Sequence, residues 1–116
     1  MSQENRGTTD ELARVDNLLA RLRKMLADMY HDRRYSSDDD FVKATEKLYI
    51  SVQALSSKLT NLETDYFKLQ GTEFSGELDR AALCTDKLQT ALESAQTGVE
   101  IIGAVEQIAK VIHLWL

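Results

Sequence analysis

The residues that could bind a metal ion form one short cluster in the first half of the chain. His31 and Asp32 are followed by Asp38–Asp40, which together offer imidazole nitrogen and carboxylate oxygen ligands. The spacing does not match an EF-hand loop, which needs ligands at alternate positions, a central glycine and a closing glutamate. The chain also has no Glu-x-x-His pair of the kind found in di-iron bundles. We therefore interpret the cluster as helix-capping acids and predict neither a metal nor a cofactor.

The remaining reactive side chains do not form a catalytic set. Cys84 has no histidine near it in sequence and lies beside an apolar row, which is typical of a small buried side chain. His113 falls on the polar side of the last predicted helix. Two isolated glycines, Gly71 and Gly76, do not make a phosphate-binding loop. The sequence therefore predicts a protein that is not an enzyme.

Composition limits the partners and the cellular setting. The 116 residues carry 14 basic and 19 acidic side chains, a net charge of −5, which disfavours sequence-independent binding to nucleic acid. There is no proline, and a single cysteine excludes an intramolecular disulfide. Residues 1–11 are polar and lack the apolar region of a signal peptide. We expect a cytoplasmic protein, with export by a route that does not read such a signal as the alternative.

Apolar residues recur in rows with alternating steps of three and four, a spacing that one face of a helix can hold and a strand cannot. The first row is Leu12, Val15, Leu19, Leu22, Leu26 and Met29. The second row is Phe41, Thr45, Leu48, Val52, Leu55, Leu59, Leu62, Tyr66 and Leu69. The third row is Leu78, Ala81, Thr85, Leu88, Leu92, Ala95, Val99 and Ile102. With a further stripe at the C-terminus, the rows predict helices over about 9–30, 38–70, 76–97 and 99–114.

Local signals mark where these helices should begin and end. Thr8 and Glu11 have the spacing of a capping box, so the first helix is expected to begin there. Ser37–Asp40 is an N-terminal cap followed by acids. Gly71 is placed to end the second helix in a left-handed conformation.

The expected fold is all-α, in one domain over residues 1–116. A helix over 38–70 would be roughly 50 Å long at 1.5 Å per residue, so the molecule should be elongated. Connections of about seven residues force neighbouring helices to run antiparallel. We predict an elongated antiparallel three-helix bundle, or coiled-coil hairpin, with a kinked or separate fourth helix at the C-terminus.

The apolar stripe at the C-terminus lies on a different side of its helix from the row that precedes it. Its members are Ile101, Val105, Ile108, Ile112 and Trp115, at steps of four and three. The stripe has three interpretations: core of the same chain, contact with another chain, or contact with a membrane surface.

We predict that this stripe binds a partner, because monomers seldom leave such a surface uncovered. The expected function is a non-catalytic protein–protein interaction module (an adaptor, scaffold or chaperone-like subunit). It would bind another protein, or a second copy of itself, by helix packing. The alternative is a helical-bundle protein that is secreted or associates with a membrane surface. No nucleic-acid partner is expected.

Overall fold

The computed structural model describes residues 2–60, 71–94 and 96–115, and this part of the chain is helical without any strand. It contains five helices, which confirms the all-α prediction. They are α1 (Ser2–Tyr30), α2 (Arg33–Ser37), α3 (Asp39–Thr60), α4 (Gly71–Glu93) and α5 (Gly98–Trp115).

The apolar rows form the core. Each helical row turns toward the other helices, and burial of these side chains stabilises the fold because it removes apolar surface from water. The fully buried members include Val15, Leu22, Met29, Phe41, Leu48, Leu55, Leu88, Ile101 and Ile108. Two threonines in the rows, Thr45 and Thr85, donate their hydroxyl protons to the carbonyls of Phe41 and Ala81, at 2.9 and 2.7 Å. These bonds satisfy the buried hydroxyls, so the rows tolerate a polar member.

The four long helices pack side by side. Helix α1 contacts α3 and α4, and α5 contacts the same two helices. Arg14 pairs with Asp79 and Arg21 with Asp86, so residue numbers rise together and α1 runs parallel to α4. Asp38 binds Gly98 and Lys47 pairs with Glu106, so α3 runs parallel to α5 in the same way. The molecule measures 53 × 22 × 19 Å along its principal axes.

Several helix ends differ from the prediction. Helix α1 already begins at Ser2, so Thr8 lies inside it and does not cap it. Extending a helix adds one hydrogen bond per residue, and no proline opposes it here. Between α1 and α3 the chain forms the short helix α2, where the sequence predicted only a break. Asp38, rather than Ser37, supplies the cap of α3, since its carboxylate accepts from the backbone N–H groups of Asp40 and Phe41.

The sequence predicts a turn over residues 70–76, between its second and third helices. For residues 71–76, which the structure describes, this prediction is wrong because they are helical. Gly71 begins α4 and does not end the preceding helix, and α4 stops at Glu93, four residues before the predicted end. Glycine is tolerated at a helix start. The row members Leu62, Tyr66, Leu69 and Ala95 lie outside the described residues.

Helix α5 is separate from α4, which decides between the two alternatives of a kinked and a separate fourth helix. Helix α4 ends at Glu93, and α5 begins at Gly98 and continues to Trp115. The row that the sequence continued from α4 into α5 ends here, because Val99 is 65 % exposed.

Candidate functional site: a groove between two parallel helices

The predicted partner-binding stripe lies inside the molecule. Ile101, Val105 and Ile108 are 0 % exposed and Ile112 is 1 % exposed, because α5 packs this face between α3 and α4. The expectation of an uncovered stripe is therefore corrected: the same chain covers these four side chains. Their role in binding a partner stays a prediction that would require α5 to leave the core. The Trp115 side chain lies outside the described part of the structure.

The outer face of α5 lines a groove instead. A cavity of about 520 Å³ runs between α3 and α5. Its apolar lining includes Ile50 and Ala54 from α3 and Ala109 and Leu114 from α5. Ile50 is 66 % exposed and Leu114 is 49 % exposed, although both are large aliphatic side chains. The two alanines leave a shallow floor between these larger side chains, so the groove presents apolar surface to solvent.

The rim of the groove carries charged side chains. Lys47 of α3 pairs with Glu106 of α5, with 3.6 Å between Nζ and Oε1, and both side chains are about half exposed. Lys110 and His113 lie farther along α5 and also line the groove. Lys43 is exposed one turn before Lys47, on the same side of α3. Among the described residues that line the groove, Glu106 is the only carboxylate.

Asp38 ties together the starts of the two helices that form the groove, because it caps both of them. One carboxylate oxygen accepts from the backbone N–H of Asp40 at 3.0 Å and of Phe41 at 3.3 Å, at the start of α3. The other oxygen accepts from the backbone N–H of Gly98 at 2.8 Å, at the start of α5. The hydrogen bond from Gly98, together with those from Phe41 and Asp40, holds the pKa of Asp38 below its ordinary value. One side chain therefore aligns the first turns of both helices that form the groove.

Gly98 allows this close approach. A Cβ atom at this position would overlap the backbone of Asp40 and Phe41 and the carboxylate of Asp38. Gly103, one and a half turns farther along α5, has open space where a Cβ would stand. The two glycines of α5 therefore differ: the first is required by contact with α3, and the second is not.

Arg34 of α2 binds the C-terminal end of α4, which immediately precedes α5 in the chain. Its guanidinium donates to the carbonyls of Leu92, Ser94 and Gln96 at 2.7, 3.2 and 2.8 Å, around the end of α4. It also pairs with Asp32 at 2.8 Å, and this hydrogen-bonded pair lowers the pKa of Asp32 and raises that of Arg34. Helix α4 has no basic residue in its last turn, so Arg34 supplies from α2 the cation that a helix C-terminus favours.

The side chains that suggested chemistry have structural roles or lie apart. Asp32 caps α2 through the Arg34 N–H and Asp38 caps α3, as helix-capping acids should. Cys84 is a free thiol, half-buried beside the core rather than fully buried. Over the described ranges, no three His, Cys, Asp or Glu side chains come together as metal ligands would.

The groove could not be found from the rows or the C-terminal stripe, because Ile112, which is 1 % exposed, is the one lining residue that belongs to them and the others lie beside them. Ile50 falls between the row members Leu48 and Val52, and its only signal is a large aliphatic residue on an otherwise polar side of the helix. Leu114 has a similarly weak signal next to Trp115. Within the part of the chain that the structure describes, no helix is long and apolar enough to cross a membrane.

Comparison with models of protein families, with curated proteins and with solved structures gives no match. The groove and the charges around it are therefore the basis for a functional proposal.

Proposed function

We propose that this protein is a non-catalytic interaction module that binds a helix of another protein in the groove between α3 and α5. The observation that carries the proposal is the exposure of Ile50 and Leu114 on opposite walls of one apolar groove. Isolated aliphatic residues are common on protein surfaces, but two that share a concave apolar lining favour a binding surface.

The dimensions of the groove suit a helical partner. Lys47 to Ala54 spans seven residue steps along α3, about 11 Å or two helical turns at 1.5 Å per residue. A helix laid along it would place residues i, i+3 or i+4, and i+7 against the alanine floor. The partner would be held by burial of Ile50 and Leu114, with the charges at the rim setting its orientation.

The proposal changes which side of α5 makes the contact. The sequence pointed to the stripe that begins at Ile101, but that stripe already packs against α3 and α4. We place the contact on the outer side of α5, at Ala109 and Leu114. In this proposal the four long helices form an elongated bundle that acts as a rigid platform, and the protein works in the cytoplasm.

A designed peptide tests the proposal directly. The probe is an 18-residue helix, on the order of five turns, with a leucine stripe at heptad spacing and glutamine at all flanking positions. Amide chemical shifts of the labelled full chain are followed as the peptide is added. We expect shifts to concentrate on α3 and α5 around Ala54 and Ala109.

Two matched variants decide where the peptide binds. Ile50→Asp places a carboxylate in the groove, whereas Leu83→Asp makes the same change at a 56 % exposed leucine of α4 that does not line it. We expect Ile50→Asp to weaken binding at least about tenfold, since one buried aliphatic side chain is worth about 1.5–3 kcal/mol. Leu83→Asp should bind as the parent does. Equal loss in both variants, or shifts that avoid the groove, would overturn the proposal.

A further inference from the structure

We infer that the occupant of the groove is an amphipathic helix whose apolar stripe is flanked by carboxylates. This inference rests on the proposed function and specifies its partner. Its basis is the charge around the groove, which is opposite in sign to that of the molecule as a whole.

The positive charges of α3 and α5 lie on the groove side. Lys47 and Lys110 line the groove and Lys43 is exposed one turn before Lys47. The nearby acid of α3, Glu46, does not line the groove and acts electrostatically on Tyr30 of α1. Glu106 lines the groove but is paired with Lys47. Two lysines and one glutamate line the groove, a formal charge of +1, and Lys43 adds one more positive charge, so a chain with a net charge of −5 presents a cationic rim around its apolar groove.

The shape of the groove favours a helix over a membrane surface. The floor is made of small side chains, Ser51, Ala54 and Ala109, and these are recessed below Ile50 and Leu114. A bilayer is nearly flat on this scale and is bound by apolar side chains that project from a surface. A rod about 10 Å wide fits between two helices and contacts the alanines as well as the walls.

A second copy of the chain fits the groove poorly when the two grooves face each other. In such a symmetric contact each surface meets itself, so the lysines of one rim would face those of the other. Two concave floors would also leave a void between them. A carboxylate-flanked helix instead brings an opposite charge to Lys47 and Lys110 and a convex surface to the floor.

The test uses three designed peptides that share one leucine stripe and differ only at the flanking positions, which are all glutamate, all glutamine or all lysine. Affinities are measured by fluorescence anisotropy with the full-length protein. We expect the glutamate peptide to bind about tenfold tighter than the glutamine peptide, and the lysine peptide to bind more weakly than either. In about 0.5 M salt the three affinities should converge, because the rim charges are exposed and screened.

Charge-reversal variants assign the preference to the rim. Lys110→Glu should weaken the glutamate peptide and strengthen the lysine peptide, while circular dichroism shows unchanged helicity. Lys24→Glu is the matched control, because Lys24 is an exposed lysine of α1 that does not line the groove. It changes the net charge equally and should leave the order and spacing of the three affinities unchanged.

Each remaining outcome has a defined meaning. If no peptide binds in the groove, the proposed function fails. If the peptides bind there with equal affinity, or the lysine peptide binds best, the proposed function stands and this inference is overturned. Concentration-dependent dimerisation that Lys110→Glu changes would assign the groove to a second copy. Sedimentation with anionic vesicles but no binding of any peptide would assign it to a lipid surface.

Discussion

The two parallel helix pairs, α1 with α4 and α3 with α5, differ in the side chains that bridge and line the seam between the helices. Arg14 reaches across to Asp79, and Arg21 reaches across to Asp86, each at 2.5 Å. Both arginines make a second bond on α4, to Ser75 at 3.0 Å and Gln89 at 2.8 Å. The two partners are 65 residues apart in both pairs, so the register between α1 and α4 is the same at two points seven residues apart, and both arginines bridge the seam.

Among the described residues, the pair α3 and α5 has no such series of arginine–aspartate ion pairs. Lys47 and Glu106 form a bridge between the described parts of these helices, at the longer distance of 3.6 Å, and the register is set at one end by Asp38 and Gly98. Beyond that end, alanines and exposed aliphatic side chains line an open groove. The groove between α1 and α4 has a similar volume, about 520 Å³, but most of its lining residues are charged, so the two seams differ in that only the α3–α5 groove has a largely apolar lining.

The largest change in the free energy of unfolding is expected in the core that the two helix pairs share. Ile108→Ala removes a side chain that is 0 % exposed and should lower the free energy of unfolding by about 2–5 kcal/mol, since it leaves a cavity. Ile50→Ala, at a position 66 % exposed in the groove, should change it by less than about 0.5 kcal/mol. Urea unfolding measures both. Equal values would mean that the α5 stripe is not core, which restores it as a partner surface.

The next largest effect separates the two glycines of α5. Gly98→Ala should destabilise the fold by about 1–3 kcal/mol, because the added methyl group meets the backbone of α3. Gly103→Ala meets open space and should stabilise the helix by about 0.5–1 kcal/mol, through the better helix propensity of alanine. Thermal unfolding of the two variants compares them. A stabilised Gly98→Ala would show that α5 does not approach α3 as described.

Part of this fold can be predicted from the sequence alone, namely the helices and the faces that they bury. The burial of Val15, Leu22 and Met29, and of Phe41 and Leu48, follows from spacing alone, since only a helix holds steps of three and four on one face. Helix existence and core faces are local properties of this kind. The α5 stripe was also visible, but not what covers it, because an apolar stripe has the same pattern whether its partner is the same chain or another.

Long-range contacts explain the rest. Nothing in the sequence near Asp38 marks it as a cap for Gly98, which lies 60 residues away. Ile50 and Leu114 belong to no row, and they share a groove only because α3 and α5 run parallel in this register. The candidate site was therefore beyond prediction from spacing, although the helices that form it were not.

A smaller, pH-dependent change in stability tests the contacts of Asp38 that align α3 with α5. The pKa of Asp38 is lower in the folded chain than its ordinary value of about 3.9. Its contribution to stability is therefore complete above that value and is lost as pH falls through the lower folded value. We expect Asp38→Asn to be less stable than the parent at pH 7, because an amide has one acceptor oxygen, so its N–H₂ group would face either the Gly98 N–H or the N–H groups of Asp40 and Phe41.

The difference between Asp38→Asn and the parent should shrink as the pH falls below about 4. Thermal unfolding at a series of pH values measures it. Asp39→Asn, which also removes an acid from the first turn of α3, is the matched control and should show a smaller difference at pH 7. A gap between parent and Asp38→Asn that grows on acidification would contradict the assigned hydrogen bonds.

The smallest effect concerns the arginine–aspartate ion pairs between α1 and α4. A double-mutant cycle of Arg21→Gln and Asp86→Asn should give a coupling energy of about 0.2–1 kcal/mol, because Asp86 is 60 % exposed and water competes for the pair. The cycle of Lys47→Gln and Glu106→Gln should give less, because the ammonium and carboxylate are farther apart and half exposed. Salt at about 0.5 M should reduce both couplings. A larger coupling at Lys47 and Glu106 would mean that the groove is held together by its rim, and a partner helix would then have to break that bridge before it could bind.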